Sequence, residues 1–178
     1  MRHALRPHPS SRIAAGTVVE AEVTRRQATL SLRYIVTGND LLVPSPTAST
    51  RTDKLWRHTC FEAFVQAISA AGYYEFNFAP STQWAAYRFT GYRAGMGAVG
   101  AIEAPDLRTE TADGHFELTA LLALDGLPDL PIDTSWKIGL SAVIEDVTGS
   151  LSYWALAHPV GKPDFHHPDC FSLELPPA

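Results

Sequence analysis

TVVEAEVTRRQATLSLRYIV, residues 17–36, decides the fold. Val19, Ala21 and Val23 alternate with Val18, Glu20 and Glu22, and beyond Arg26 and Gln27 the residues Leu30, Leu32, Tyr34 and Val36 share one side. A period of two puts successive side chains on opposite faces of a strand. Two such runs joined by a short break predict an antiparallel hairpin. The Arg25–Arg26 pair is expected on the solvated surface.

The same period recurs outward from this hairpin. TCFEAFVQA (59–67), YYEFNFA (73–79) and WAAYRF (84–89) are aromatic runs separated by short turns, as in consecutive antiparallel strands. HFELTALLAL alternates Phe116, Leu118, Ala120 and Leu122, and WKIGLSAVIEDV places Trp136, Ile138, Leu140, Ala142 and Ile144 on one side. LSYWALA (151–157) and CFSLEL (170–175) close the chain, and only ALLALDGL competes as a helix. Nine or ten short strands with turn signals between them imply an all-β antiparallel sandwich. The segment 38–53, rich in Pro, Ser and Thr, reads as a long surface connection of the kind that serves a site. GYRAGMGAVGA (91–101) is a glycine-rich loop without the strand and helix that a phosphate-binding motif requires.

Composition narrows the function. The 178 residues fit one domain spanning 1–178, and 46% apolar content suffices for a core. A net charge of −5, with scattered basic residues, gives no electrostatic footprint for nucleic acid. No apolar run is long enough to cross a membrane. The N-terminal residues carry no signal-peptide pattern, so a cytoplasmic location is expected. Cys60 and Cys170 are expected as buried thiols.

Strand parity indicates which polar groups stand together. Glu62 lies with Cys60 and Phe64, Glu75 and Asn77 lie opposite Tyr74, Phe76 and Phe78, and Arg88 shares a face with Trp84. Neighbouring strands would join Glu62, Asn77 and Arg88 in one hydrogen-bonding patch, or in an exposed face with cross-strand ion pairs. Trp56 and Trp154 flank these strands in sequence, and a sugar ring packs its C–H faces on indole while its hydroxyls take planar polar partners. Glu62 with Glu75 is also a candidate glycosidase pair. PDFHHPDC (163–170) reads as a proline-stiffened loop; His158, Asp164, His166, His167 and Asp169 would make a metal site only if a bend brought them together.

LWRHTCFEAFV (55–65), YYEFNFAPSTQWAAYRF (73–89) and YWALAHPVGKPDFHHPDCFSLEL (153–175) resemble the DOMON-like proteins related to family 9 carbohydrate-binding modules. The resemblance spans most of the chain in order. It implies a jelly-roll-like sandwich that binds sugar or haem on a concave sheet and beneath its loops. For sugar it implies Trp56 and Trp154 as a clamp and Glu62, Asn77 and Arg88 as hydroxyl partners; the His-rich loop departs from those modules and is read here as a wall of the pocket, with His158 and His166 or His167 as further ligand-binding candidates. For haem it implies Met96 with His158, His166 or His167 as axial ligands. The expected function is therefore a non-catalytic domain for a small ligand, most simply a sugar, with no required cofactor. Haem binding and metal-dependent hydrolysis at the His-rich loop are the alternatives, and the oligomeric state stays open.

Overall fold

The computed structural model describes residues 1–38, 40–100 and 102–177; the loop readings at positions 39 and 101 lie outside the described residues. Its strands are β1 (Arg2–Ala4), β2 (Arg6–Pro7), β3 (Val18–Arg26), β4 (Thr29–Thr37), β5 (Cys60–Ala67), β6 (Tyr73–Phe78), β7 (Trp84–Phe89), β8 (Gly97–Ala98), β9 (Asp106–Ala112), β10 (His115–Ala123), β11 (Trp136–Glu145), β12 (Leu151–Ala155) and β13 (Leu173–Leu175). One sheet has the order β1-β3-β4-β10-β9, and the other has the order β2-β12-β11-β5-β6-β7-β8, with β13 beside β11. The ladders are antiparallel throughout, as alternation in the sequence requires.

The β3–β4 hairpin pairs Ala21 with Tyr34 and Val23 with Leu32, so its apolar faces point the same way. Gln27 makes the turn with φ of 52°. The stretch that competed as a helix is the end of β10, followed by a turn.

A first core lies between the sheets: Tyr34, Phe61, Phe76, Phe116, Leu118, Trp136 and Trp154 are all buried there. Phe61 stacks on Phe116 with centroids 5.8 Å apart, and Tyr34 Oη donates to the Glu62 carbonyl at 2.6 Å. A second core covers the outer face of the larger sheet, formed by Cys60, Phe64, Tyr73, Tyr87, Phe89 and Val143 with Leu55, Phe165, Cys170 and Phe171 from loops. This explains why β6 is buried at every position despite its polar residues. The close approach of the C-terminal loop depends on Gly139: a Cβ there would meet the Cys170 carbonyl oxygen at 3.2 Å and Phe64 Cβ at 3.4 Å.

Arg25 departs from the expected solvated pair. Its guanidinium lies 3.5 Å over the Trp136 ring and donates to the carbonyls of Thr134 (2.7 Å), Ile132 (2.8 Å) and Pro176 (3.1 Å). It thereby ties the β10–β11 connection and the C-terminus to the hairpin, whereas Arg26 is exposed. Arg25→Ala is expected to lower the unfolding free energy by about 2–3 kcal/mol, through lost charge-assisted hydrogen bonds and ring stacking. The thermal midpoint should fall by about 5–10 °C. Arg26→Ala should stay within about 0.5 kcal/mol in the same denaturant titration.

Candidate functional site

Three segments cover the outer face of the larger sheet incompletely. The first is a 3₁₀ turn, Leu55–Arg57, entered through Lys54 with φ of 65°. Buried Leu55 anchors it, Tyr87 Oη donates to Asp53 Oδ1 at 2.7 Å, and Trp56 packs edge-on to Tyr87 at 6.1 Å. The second is the glycine-rich loop, where Arg93 takes φ of 52°. The third is the proline-stiffened loop, in which Asp164 binds Arg93 Nη2 at 2.6 Å and also accepts from Tyr92 Oη. That ion pair joins the second segment to the third.

Between them lies a cavity of about 380 Å³, lined by Trp56, Glu62, Glu75, Phe89, Arg93, Met96, Val143, Tyr153, Pro163, Phe165 and His166. Its size is within the range of small-ligand sites. Glu62 and Glu75 are 4% exposed, on β5 and β6. Glu62 faces Asn77 across the ladder and Glu75 faces Phe64, so the two glutamates are diagonal neighbours on one face. Such neighbours stand about 7–8 Å apart.

Few groups satisfy these carboxyls. Ser141 Oγ donates to Glu62 at 3.3 Å, and Asn77 Nδ2 donates to Glu75 Oε1 at 2.7 Å. Asn77 Oδ1 is buried without a donor among the described residues. Burial pushes the Glu75 carboxyl up to about 7, against the pull of Asn77 and Arg93. Burial, and then the charge of Glu75, push the Glu62 carboxyl well above the usual carboxylate range.

His166 is the third polar group at the cavity. Tyr73 Oη lies 2.7 Å from its Nδ1 and accepts from the Arg93 backbone N–H at 3.3 Å. Nδ1 is thus taken by the phenol, and the other ring nitrogen, Nε2, lies 3.7 Å from Glu75 Oε2. Burial, and then the charge of Arg93, bring the imidazole down to about 4. Despite its proximity to Glu75, His166 is neutral at pH 7, and the contact is not an ion pair.

The structure brings Trp56, Glu62 and His166 to the cavity, with Asn77 buried beside Glu75 on the same face. It does not bring Arg88, Trp154 or His158 there. Arg88 shares the face of Trp84, as parity indicated, but that face is the inter-sheet side. Its guanidinium lies at the rim on Asp129. The patch expected from Glu62, Asn77 and Arg88 is instead Glu62, Glu75 and Asn77. Trp154 pairs with Ala142 and Pro7, is 3% exposed in the first core, and donates from Nε1 to Ser152 Oγ at 2.9 Å. Its neighbour Tyr153 takes the cavity side. His158 Nε2 bonds the Arg6 carbonyl at 2.8 Å, and its ring lies edge-on to His8.

The His-rich loop does not converge on one point. His166 turns inward, His167 turns out beside Tyr92 and Asp169, and Asp164 is taken by Arg93. Among the described residues no group of three or more His, Cys, Asp or Glu is placed to hold a metal. Met96 and His166 do line the same cavity. However, Nε2, the nitrogen left for an iron, faces Glu75 Oε2 at 3.7 Å, a gap too small for a macrocycle, so these residues do not fit haem. Cys60 and Cys170 are both free and buried.

Sequence reading named Glu75 only as a partner of Glu62 in a candidate glycosidase pair, not among the ligand-binding residues, and it did not name Tyr153, Arg93 or Phe165 as site residues. A glutamate inside the wholly apolar-flanked run YYEFNF was the available signal for the first.

The sequence matches no protein-family model and no curated protein. Solved structures do match. A candidate carbohydrate-binding protein of Bacteroides uniformis superposes with a TM-score of 0.69 at 12% identity, over 96% of this chain and 83% of that one. A family 9 carbohydrate-binding module from Caldicellulosiruptor kristjanssonii in complex with cellotriose gives 0.56 at 13% identity, over 90% and 74%. A family 9 module from that organism with glucose gives 0.53 at 12% identity, over 88% and 76%. At such identity the likeness concerns architecture, and the chain has the antiparallel β-sandwich fold of family 9 carbohydrate-binding modules.

Proposed function

We propose that the outer-face cavity binds a small saccharide without transforming it. The observation that carries this reading is the pairing of flat aromatic walls with unsaturated polar groups in one buried recess. Trp56, Tyr153, Phe89 and Phe165 offer faces and edges for C–H packing, while Glu62, Glu75 and His166 offer hydrogen-bonding positions for hydroxyls. A carboxyl with a pKa near 7 both donates and accepts, as a sugar hydroxyl does. The fold supports the same reading, since two solved structures that share it are described as modules in complex with cellotriose and glucose.

The test is calorimetric titration with glucose, cellobiose and cellotriose at pH 6.5, with nitrophenyl glycosides assayed for turnover and haemin followed by its Soret band. At least one sugar should bind saturably. Trp56→Ala should weaken that binding by about tenfold, the loss of one stacked face, while leaving the far-ultraviolet circular dichroism unchanged. Released nitrophenol would overturn the non-catalytic part of the reading, and a saturable Soret band without sugar binding would transfer the cavity to haem. Sugar binding untouched by Trp56→Ala would move the site elsewhere.

A further inference from the structure

The cavity has a deficit of positive charge and of donors. Glu62 and Glu75 are both more than nine-tenths buried, and among the described residues neither meets a Lys or Arg within ion-pair distance. Among the described residues none donates a hydrogen bond to Glu62 Oε1 or Glu75 Oε2, and Asn77 Oδ1, on the same face, is buried without a donor from them. The unmet capacity is thus on the acceptor side.

Arg93 does not supply what is missing. Its guanidinium is committed to Asp164, through Nε at 3.1 Å and Nη2 at 2.6 Å. With the three carboxyls and Arg93 ionised and His166 neutral, the cavity and its rim would hold Glu62, Glu75 and Asp164 against Arg93 alone, a net charge of −2. Burying two carboxylates without a cation is costly, so the free protein keeps protons on the pair instead. A ligand that brings its own charge removes that cost. The walls suit an organic cation better than a metal ion, because Trp56, Tyr153, Phe89 and Phe165 present π-systems, and two carboxyls are too few oxygens for a hard metal.

Resting on the saccharide reading, we infer that the cavity is built for an amino sugar, a pyranose whose protonated amine sits between Glu62 and Glu75. Binding exchanges a proton for the ammonium: one carboxyl ionises as the cation enters, and its proton leaves to the buffer.

Three probes test this: glucose, glucosamine and N-acetylglucosamine, titrated calorimetrically at pH 6.5 in two buffers of different ionisation heat. Glucosamine should bind about tenfold tighter than either neutral sugar, the difference between a charge-assisted and a neutral hydrogen bond. Roughly one proton should be released with glucosamine, and none with glucose. Glu75→Gln should bring the two affinities close to parity and abolish the buffer dependence. Equal or tighter glucose binding, with no proton released, would overturn the amino-sugar inference and leave the saccharide reading intact. Silence with all three probes while cellobiose or cellotriose binds would overturn this inference alone, and silence with those oligosaccharides as well would overturn the saccharide reading with it. Proton release is measured on the unmodified protein, so the outcome does not depend on the variant folding.

Discussion

Replacing Trp154 by alanine is expected to lower the unfolding free energy by about 3–5 kcal/mol, whereas the same change at Trp56 should cost about 1 kcal/mol or less. Both are tryptophans beside the same sheet, but they lie on opposite sides of it. Trp154 is 3% exposed between the sheets, over Ala142, with its indole N–H already bonded to Ser152 Oγ. Truncating it leaves a cavity in the first core, between the two sheets, which a close-packed sandwich fills poorly. A loss of that size is a large fraction of the 5–15 kcal/mol typical of a domain. Trp56, half-buried at the cavity edge, gives up packing against Tyr87 and little else. Denaturant titration of both variants decides between the placements. A Trp154→Ala protein with an unshifted midpoint and lost sugar binding would mean that Trp154, not Tyr153, faces the ligand.

This contrast also marks what was legible in the sequence. Alternation along β3, β4 and β10 identified the strands and their apolar faces, because a sheet covered on one side writes its pattern with period two. The same reasoning placed Glu62, Glu75 and Asn77 relative to their strand neighbours. What it did not supply was the register between β11 and β12. Trp154 opposes Ala142, a residue already assigned to the apolar row, and that single pairing moves Trp154 into the core and hands the cavity to Tyr153. Arg88 shows the same limit: its face was read correctly, but the identity of that face as the inter-sheet side depends on Trp84 being buried. The second core was hidden for a further reason. Where loops cover the outer face, β5 and β6 are buried on both sides and the periodicity that would announce a face disappears. The loop PDFHHPDC was legible as a rigid wall. The direction of each histidine was not, since it depends on Tyr73 and Arg93 from elements distant in sequence.

The carboxyl pair makes stability depend on pH in a direction opposite to the usual acid response. Glu75 has a folded pKa of about 7, above the model-peptide value of 4.5, because burial disfavours its charged form. A raised carboxyl pKa means that the folded state holds the proton more tightly than the unfolded chain. Its stabilising contribution is complete below pH 4.5 and is lost as pH rises through 7. Glu62, its carboxyl raised by burial and by the charge of Glu75, acts with the same sign. The imidazole of His166 acts with the opposite sign: its folded pKa is near 4 against 6.5, so stability falls as pH drops through that window. Between pH 4.5 and 6.5 the two effects offset each other, and above that range the carboxyls alone set the slope. A Glu62→Gln, Glu75→Gln double variant keeps neutral groups of the same shape at both positions and retains His166. The difference between the proteins therefore isolates the pair. It should be near zero at pH 4.5 and reach about 3 kcal/mol in favour of the variant by pH 8, following from the Glu75 displacement alone. Urea midpoints measured at half-unit pH intervals give that difference directly. A wild type that gains on the variant as pH rises would mean that the folded state already holds both carboxylates ionised, with a cation beside them that the geometry does not contain. A saturating amino sugar should flatten the wild-type slope, because its ammonium takes the place of the proton that the buried pair gives up.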